Sequence, residues 1–409
     1  MKPTFQFPAD LFLANLSPTD SATPLRLERA VRESAPDGGV IACTGVDIEE
    51  YARLGLCQFR EENSPRPVGL MFWGGEDYDR LITSHEQVVW RVEWGAALLW
   101  VVKATWQSSC GSESRCWIVA ESQETAESFL LDVDRKTNDP GESILVFHDG
   151  YWQRSREMWK ATRNATFDDL VLAGTLKDTI QEDCRRFLGS RDRYASLGVA
   201  WRRGALLIGP PGNGKTHCVR ALVNELKIPS LYVQNLSHPH STSEQLLLSV
   251  FDRARKLRPC ILILEDLDAL VNDENRSVFL NQLDGFEKNE GMLVVATTNH
   301  PERIDPAILN RPSRFDRKYH FGLPETTERI GYLTHWHTRL VGETGWSRES
   351  LEDLAIKSAG FSFAYLKELV VSALLRWMAE PGREFGDVLN EQCAELRTQM
   401  ETARGAASV

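Results

Sequence analysis

The sequence predicts an α/β protein: a parallel β-sheet sandwiched by helices, with a C-terminal helical lid, preceded by an α+β N-terminal domain. Three observations predict it. From Ala165 onward, apolar runs of four or five residues alternate with amphipathic segments of ten or more, the pattern of parallel strands joined by crossover helices. The first of those runs, ALLI, leads directly into a glycine-rich loop, GPPGNGKT. A later run, ILIL, ends on Glu265, Asp266 and Asp268, a cluster that a buried strand tolerates only beside something that compensates its charge.

At 409 residues the chain is too long for one ordinary core. Texture divides it into an N-terminal domain over 1–165, an α/β large subdomain over 166–324, a helical lid subdomain over 325–402 and a tail over 403–409. Trp73, Trp90, Trp94, Trp100, Trp106, Trp117, Trp152 and Trp159 lie in the first part, eight of the 12 in the chain. Their expected use is core packing, with an aromatic groove for a partner as the alternative. Runs such as VVWRVEW, LLWVVKATW, CWIVA and ILVFHDG read as strands there. ETAESFLLDVDRK, LRLERAVRE and DIEEYARLG read as helices. In the second part ALLI (205–208), SLYV (230–233), ILIL (261–264) and LVVAT (293–297) are the strands. LEDLAIKSAG, FAYLKELVVSALLRWMAE and GDVLNEQCAELRTQMETA supply the lid helices.

Composition excludes several classes. A formal net charge of −11 argues against general affinity for phosphate backbones, so nucleic acid is not expected as a partner. The eight cysteines contain no CxxC pair and never join the histidines at ligand spacing, so they read as reduced thiols, Cys110 and Cys116 included, and not as a zinc site. MKPTFQFPADLFLANL lacks a long apolar core, and GAALLWVV (95–102) is far short of the roughly 20 residues that cross a bilayer. A cytoplasmic protein without a membrane span is expected.

GPPGNGKT fits the phosphate-loop pattern GxxxxGK[ST] in the required context, after a strand and before the helical segment HCVRALVNELK. Gly209, Pro210, Pro211, Gly212, Asn213 and Gly214 would let successive backbone N–H groups point into one cavity, with His217 opening the helix behind them. Lys215 would meet the β- and γ-phosphates of ATP, and Thr216 would hold Mg²⁺. The acids after ILIL then supply carboxylate near the metal and a base near the attacking water.

Beyond these motifs, ATTNHPERIDPAILNRPSRFDRKYHF (296–321) resembles the second region of homology of the AAA ATPases, and the resemblance covers about residues 165–380. It implies that Asn299 is the sensor orienting the lytic water, and that Arg311 and Arg314 are arginine fingers reaching a neighbouring subunit's nucleotide. TFDDL (166–170) resembles the cradle for the nucleotide base, and GFSFAYLKEL (360–369) the lid helix. A ring homo-oligomer, a hexamer or similar, is implied. Most members read Asp then Glu at the strand end. Glu265 then Asp266 resembles the subgroup of the mitochondrial chaperone that inserts the Rieske iron–sulfur protein. In that alignment Glu265 holds the metal, partly through water, and Asp266 is the base; a register with Asp266 on the metal and Asp268 as base stays open. The loop QNLSHPHSTSEQ (234–245) has no aromatic residue for gripping a threaded chain, and His238 and His240 read as ordinary polar residues. Ser362 to Leu366 carries no arginine, which favours protein remodelling over DNA handling.

The resemblance therefore implies an ATP-hydrolysing remodelling ATPase or chaperone acting on an unidentified protein substrate or adaptor. A slow, nucleotide-gated scaffold and a nucleic-acid-stimulated ATPase are the alternatives. Because Lys215 is the one lysine of the loop, Lys215→Ala is expected to abolish tight ATP binding, measured by fluorescent-nucleotide titration.

Overall fold

Alternating and continuous apolar runs end up in different sheets. The computed structural model describes residues 23–406 apart from 45–47, 63–67, 74–80, 109–110, 139, 239–240, 285–288, 312 and 381. The N-terminal stretch read against a signal peptide, Cys110, His240 and residues 407–409 lie outside the described residues. Two compact units divide at Asp139/Pro140.

In the first unit the strands are β1 (Gly39–Cys43), β2 (Gln58–Glu61), β3 (Val68–Trp73), β4 (Leu81–Trp94), β5 (Ala97–Ser108) and β6 (Gly111–Ala120). They form an antiparallel sheet in the order β1-β6-β5-β4-β2, with β3 also paired to β4. Its helices are α1 (Thr23–Ser34), α2 (Ile48–Arg53) and α3 (Gln123–Asn138). The period of two in β4 sends Val88, Trp90 and Val92 to the face covered by Ile48, Tyr51 and Phe129, and Val89 to the face that holds Leu27 and Val31. Trp90, Trp100, Trp106 and Trp117 are buried in these two cores.

The second unit carries β7 (Ile144–His148), β8 (Tyr151–Ser155), β9 (Arg202–Ile208), β10 (Ser230–Val233), β11 (Cys260–Leu264), β12 (Met292–Thr298) and β13 (Arg317–His320). The sheet order is β13-β9-β12-β11-β10-β7-β8. All its pairs are parallel except β7 with β8. Helices α4 (Arg156–Arg163), α5 (Leu176–Gly189), α6 (Arg191–Ser196), α7 (Lys215–Leu226), α8 (Ser243–Lys256), α9 (Leu267–Leu270), α10 (Arg276–Asp284) and α11 (Pro306–Leu309) belong to this unit. Leu206 and Ile208 of β9 pack with Leu247, Phe251 and Phe279, while Ala205 and Leu207 pack with Ile180, Phe187, Cys218 and Leu222. Both faces are dry, so the strands read as unbroken apolar runs. Burial pushes the Cys184 thiol up to about 12, leaving it protonated.

The expected boundary at 165 is corrected by β7. ILVFH reads as part of the N-terminal domain, yet it lies beside β10 in the second sheet, with Leu145 opposite Leu231 and Phe147 opposite Val233. Ile144 and Val146 enter one core, Leu145 and Phe147 the other. A run apolar at every position already signals a strand covered on both sides; it lacks any mark of which sheet it joins.

The lid consists of α12 (Thr326–Thr344), α13 (Arg348–Lys357), α14 (Phe363–Ala379) and α15 (Phe385–Ala406). They close round Leu333, Trp346, Phe361, Leu369 and Phe385. The sequence pattern does not single out α12, and the tail expected from 403 continues the last helix to Ala406. Buried Arg329 donates to the carbonyls of Ala355 and Pro324 at 2.7 Å each, tying α12 to the end of α13. Among the described residues no helix is long and apolar enough to cross a membrane.

Phe147 is 1 % exposed and packs against Trp152, with ring centroids 5.0 Å apart and planes tilted by 55°. Phe147→Ala is expected to cost about 3–5 kcal/mol in the thermal transition that added nucleotide raises, leaving the other transition in place. Calorimetry with and without ATP reads both.

Candidate nucleotide site

The parallel sheet places the carboxyl ends of β9, β11 and β12 side by side: Ile208 is opposite Thr298, and Leu264 opposite Ala296. The segments leaving these three strands therefore meet at one edge. After β9 comes the glycine loop, after β11 the acids, and after β12 Asn299.

The loop needs its glycines. Gly212 sits at φ 79°, where a Cβ would lie 2.7 Å from the Ala364 Cβ. Gly214 sits at φ 91°, where it would meet Leu170 Cδ1 at 2.9 Å. Side chains are thus excluded both by conformation and by the lid and the 166–170 segment packed against the loop. Ala364 N–H donates to the Gly212 carbonyl at 3.0 Å, which fastens the first turn of α14 to the loop. Buried Asn213 donates to the Pro210 carbonyl at 3.3 Å, and its own Oδ1 is buried without a partner.

Lys215, 7 % exposed, opens α7. Its three N–H donors go to the carbonyls of Gly209 (2.6 Å) and Pro210 (2.9 Å) and to Asn299 Oδ1 (2.6 Å). Asn299 Nδ2 in turn donates to Asp266 Oδ1 at 3.0 Å. Burial pushes the lysine pKa below its usual value, opposed by the charges of Asp266, Glu265 and Asp268. Three carboxylates around one ammonium leave excess negative charge, the donor chemistry that suits a divalent cation.

The acids are held differently. Glu265 accepts from the Tyr232 hydroxyl through Oε2 at 3.1 Å, while its Oε1 is buried and unpartnered. Burial raises the Tyr232 pKa above its ordinary value, and Glu265 adds to the rise, so the hydroxyl stays a donor. Asp266 is exposed and left-handed, with φ 49° and ψ 56°, a conformation that Asp and Asn tolerate best among side chains. Its N–H donates to Thr297 Oγ1 at 3.1 Å. Asp268 accepts from Thr298 Oγ1 at 2.7 Å rather than from Asn299. Thr297 and Thr298 are buried. Sequence reasoning missed them, although two hydroxyls closing an apolar strand were a signal.

Thr216 is exposed and shares a cleft with Glu265, Tyr232, Arg220 and Met158. His217 Nε2 lies 3.2 Å from the Thr166 carbonyl, docking the 166–170 segment on the start of α7. Thr166 Oγ1 donates to Asp169 at 2.7 Å and, with His335, His217 and Arg339 nearby, holds that carboxyl below its usual range.

The two arginines part company. Arg314 is buried, bonding Asp284 Oδ2 at 2.7 Å and the Ala307 carbonyl. Arg311, its side chain 61 % exposed, reaches the same Asp284 oxygen at 3.1 Å. The family pattern sends both to a neighbouring subunit; Arg314 is directed instead into its own chain. Asp284, which sequence reasoning missed, gathers both and also accepts from Ser313 Oγ.

The residues fit a magnesium nucleotide. The orphaned Glu265 and Asn213 oxygens and the side-chain-free cradle at Gly212 and Gly214 face such a ligand's requirements. Among the described residues no group of three or more His, Cys, Asp or Glu is placed to hold a metal; Mg²⁺ in nucleotide sites needs only one or two protein ligands.

A parallel sheet that brings a glycine-rich loop, a lysine and carboxylates to one edge has the architecture of a P-loop domain. Residues 205–323 match the family described as "ATPase family associated with various cellular activities (AAA)". The chain is 34% identical over 238 residues to the ATP-dependent zinc metalloprotease FtsH 1 of Thermomicrobium roseum, covering 54% of this chain and 36% of that protein. It is 36% identical over 207 residues to FtsH of Acidothermus cellulolyticus, covering 46% and 30%. With FtsH of a Synechococcus strain it shares 32% over 263 residues, 60% and 40%. The chain thus spans well under half the length of these relatives. They support the AAA family; they do not support the Rieske-inserting subgroup that the Glu–Asp order resembles.

Arg314→Ala would leave Asp284 without its buried partner and is expected to cost about 3–5 kcal/mol of stability. Arg311→Ala at the surface should cost about 1 kcal/mol or less. Denaturant titration of each variant compares them.

Proposed function

We propose that this chain is a Mg²⁺-dependent ATP hydrolase that works as a ring of identical subunits, six in the resemblance, to remodel protein substrates. The hydrogen-bonded chain from Lys215 through Asn299 to Asp266 carries the reading. It links the group that meets the phosphates to the group that meets the water. On ATP binding, Lys215 would exchange its loop carbonyls for β- and γ-phosphate oxygens. Asp266 would take the proton of the attacking water, which Asn299 orients. Thr216, and Glu265 through water, would hold Mg²⁺, which neutralises phosphate charge. Asp266 fits the base better than Asp268, because Asn299 ties Asp266 to Lys215 whereas Asp268 is bonded to Thr298 at the strand end.

Arg311 would exchange its surface ion pair with Asp284 for a neighbouring subunit's nucleotide and act in trans, a contribution worth about 10³ to 10⁵ in rate where such fingers have been measured. Arg314 would set the shape of its loop. Relatives named as ATP-dependent proteases support action on polypeptides. The first unit would select substrate or adaptor.

Asparagine keeps both the shape and the left-handed tolerance of Asp266. Asp266→Asn should therefore retain ATP and assemble while turnover falls by about 10² to 10⁴. Mixing it with Arg311→Ala subunits should restore part of the activity, since each ring then holds intact sites. No recovery at any mixing ratio, in a coupled phosphate-release assay, counts against the trans finger.

A further inference from the structure

The AAA match begins at residue 205, and within it β10 is an edge strand. In this chain it is not: β7 pairs along its outer side and β8 lies beyond. The added segment 144–163 therefore covers the side chains that leave β10 on that flank.

Tyr232 is the residue affected. It lies in register between Val146 of β7 and Ile263 of β11. With Ile144, Met158, Ala161 and Thr162 of the added segment it lines the cleft that contains Glu265 and Thr216. Its hydroxyl reaches across one strand to Glu265 Oε2 at 3.1 Å. That leaves Oε1, buried and unpartnered, as the oxygen available to the metal's water. A carboxylate with one fixed oxygen has lost its freedom to rotate, and hydrogen bonds to a charged acceptor are stronger than neutral ones. Buried Ile144 and half-buried Met158 line the cleft on the side of the added segment.

We propose that Tyr232, walled by the 144–163 segment, is a positioning residue that aims Glu265 at the hydrated metal ion. This rests on the nucleotide reading above and adds a residue to it. The test is Tyr232→Phe in the 409-residue chain, which removes one hydroxyl and little volume. Fluorescent-ATP affinity is measured in EDTA and across a Mg²⁺ titration, alongside kcat and KM. The EDTA affinity should change by less than about twofold, while the Mg²⁺ concentration for half-maximal tightening rises about tenfold, the scale of one hydrogen bond to a charged group. The loss should fall on kcat more than on KM for ATP. In a Glu265→Ala background, Tyr232→Phe should add nothing to the Mg²⁺ shift, which separates aiming from a general weakening of the fold. An unchanged Mg²⁺ midpoint in Tyr232→Phe, or a full additional shift in the double variant, overturns the role of Tyr232 and leaves the ATPase reading standing. Absence of Mg²⁺-dependent ATP binding by the wild-type chain overturns both.

Discussion

Everything at this site depends on keeping the Lys215 ammonium charged while it is buried. Removing it from water disfavours the charge, and the strand-end acids oppose that cost. The arrangement is possible because apolar parallel strands carry no polar group along their length and release all of them at one edge. Lysine, acids and asparagine are far apart in sequence yet meet because β9, β12 and β11 are neighbours. The lysine is satisfied by loop carbonyls and Asn299, so any phosphate bound there would have to compete with existing hydrogen bonds.

The walls of the site come from both sides of the matched core. On one side α14 gives its Ala364 N–H to the Gly212 carbonyl, so a backbone change in the loop is felt at the start of the lid. On the other, segment 166–170 rests on His217, and β7 with α4 covers Tyr232. The strand pair β7–β8 turns a short core sheet into a seven-stranded one and leaves the edge to β8. Its contribution to the cores is Ile144 and Val146 on one face, Leu145 and Phe147 on the other.

Asp284 shows how one carboxylate can sort two arginines. Bonded to Arg314 in the interior and Arg311 at the surface, it fixes one guanidinium in the interior and holds the other at the surface. The motif string RPSRFDR gives both arginines the same appearance. Burial, which the string does not encode locally, separates them.

The glycine-rich loop, the acid-tipped strand, the strands β9, β10, β11 and β12 with helices between them, and the lid helices α13, α14 and α15 were legible in the residues alone. Each of these rests on local rules: glycine where φ is positive, apolar runs where both faces are covered, capped amphipathic repeats where helices pack. Folding in three dimensions was needed to show that ILVFH joins the second sheet, that Arg314 turns inward, that Asp268 answers to Thr298 and that Tyr232 holds Glu265. Those outcomes turn on which strand lies beside which, and strand pairing is set by long-range burial. A local stretch can state that it must be covered, but it carries no record of its cover.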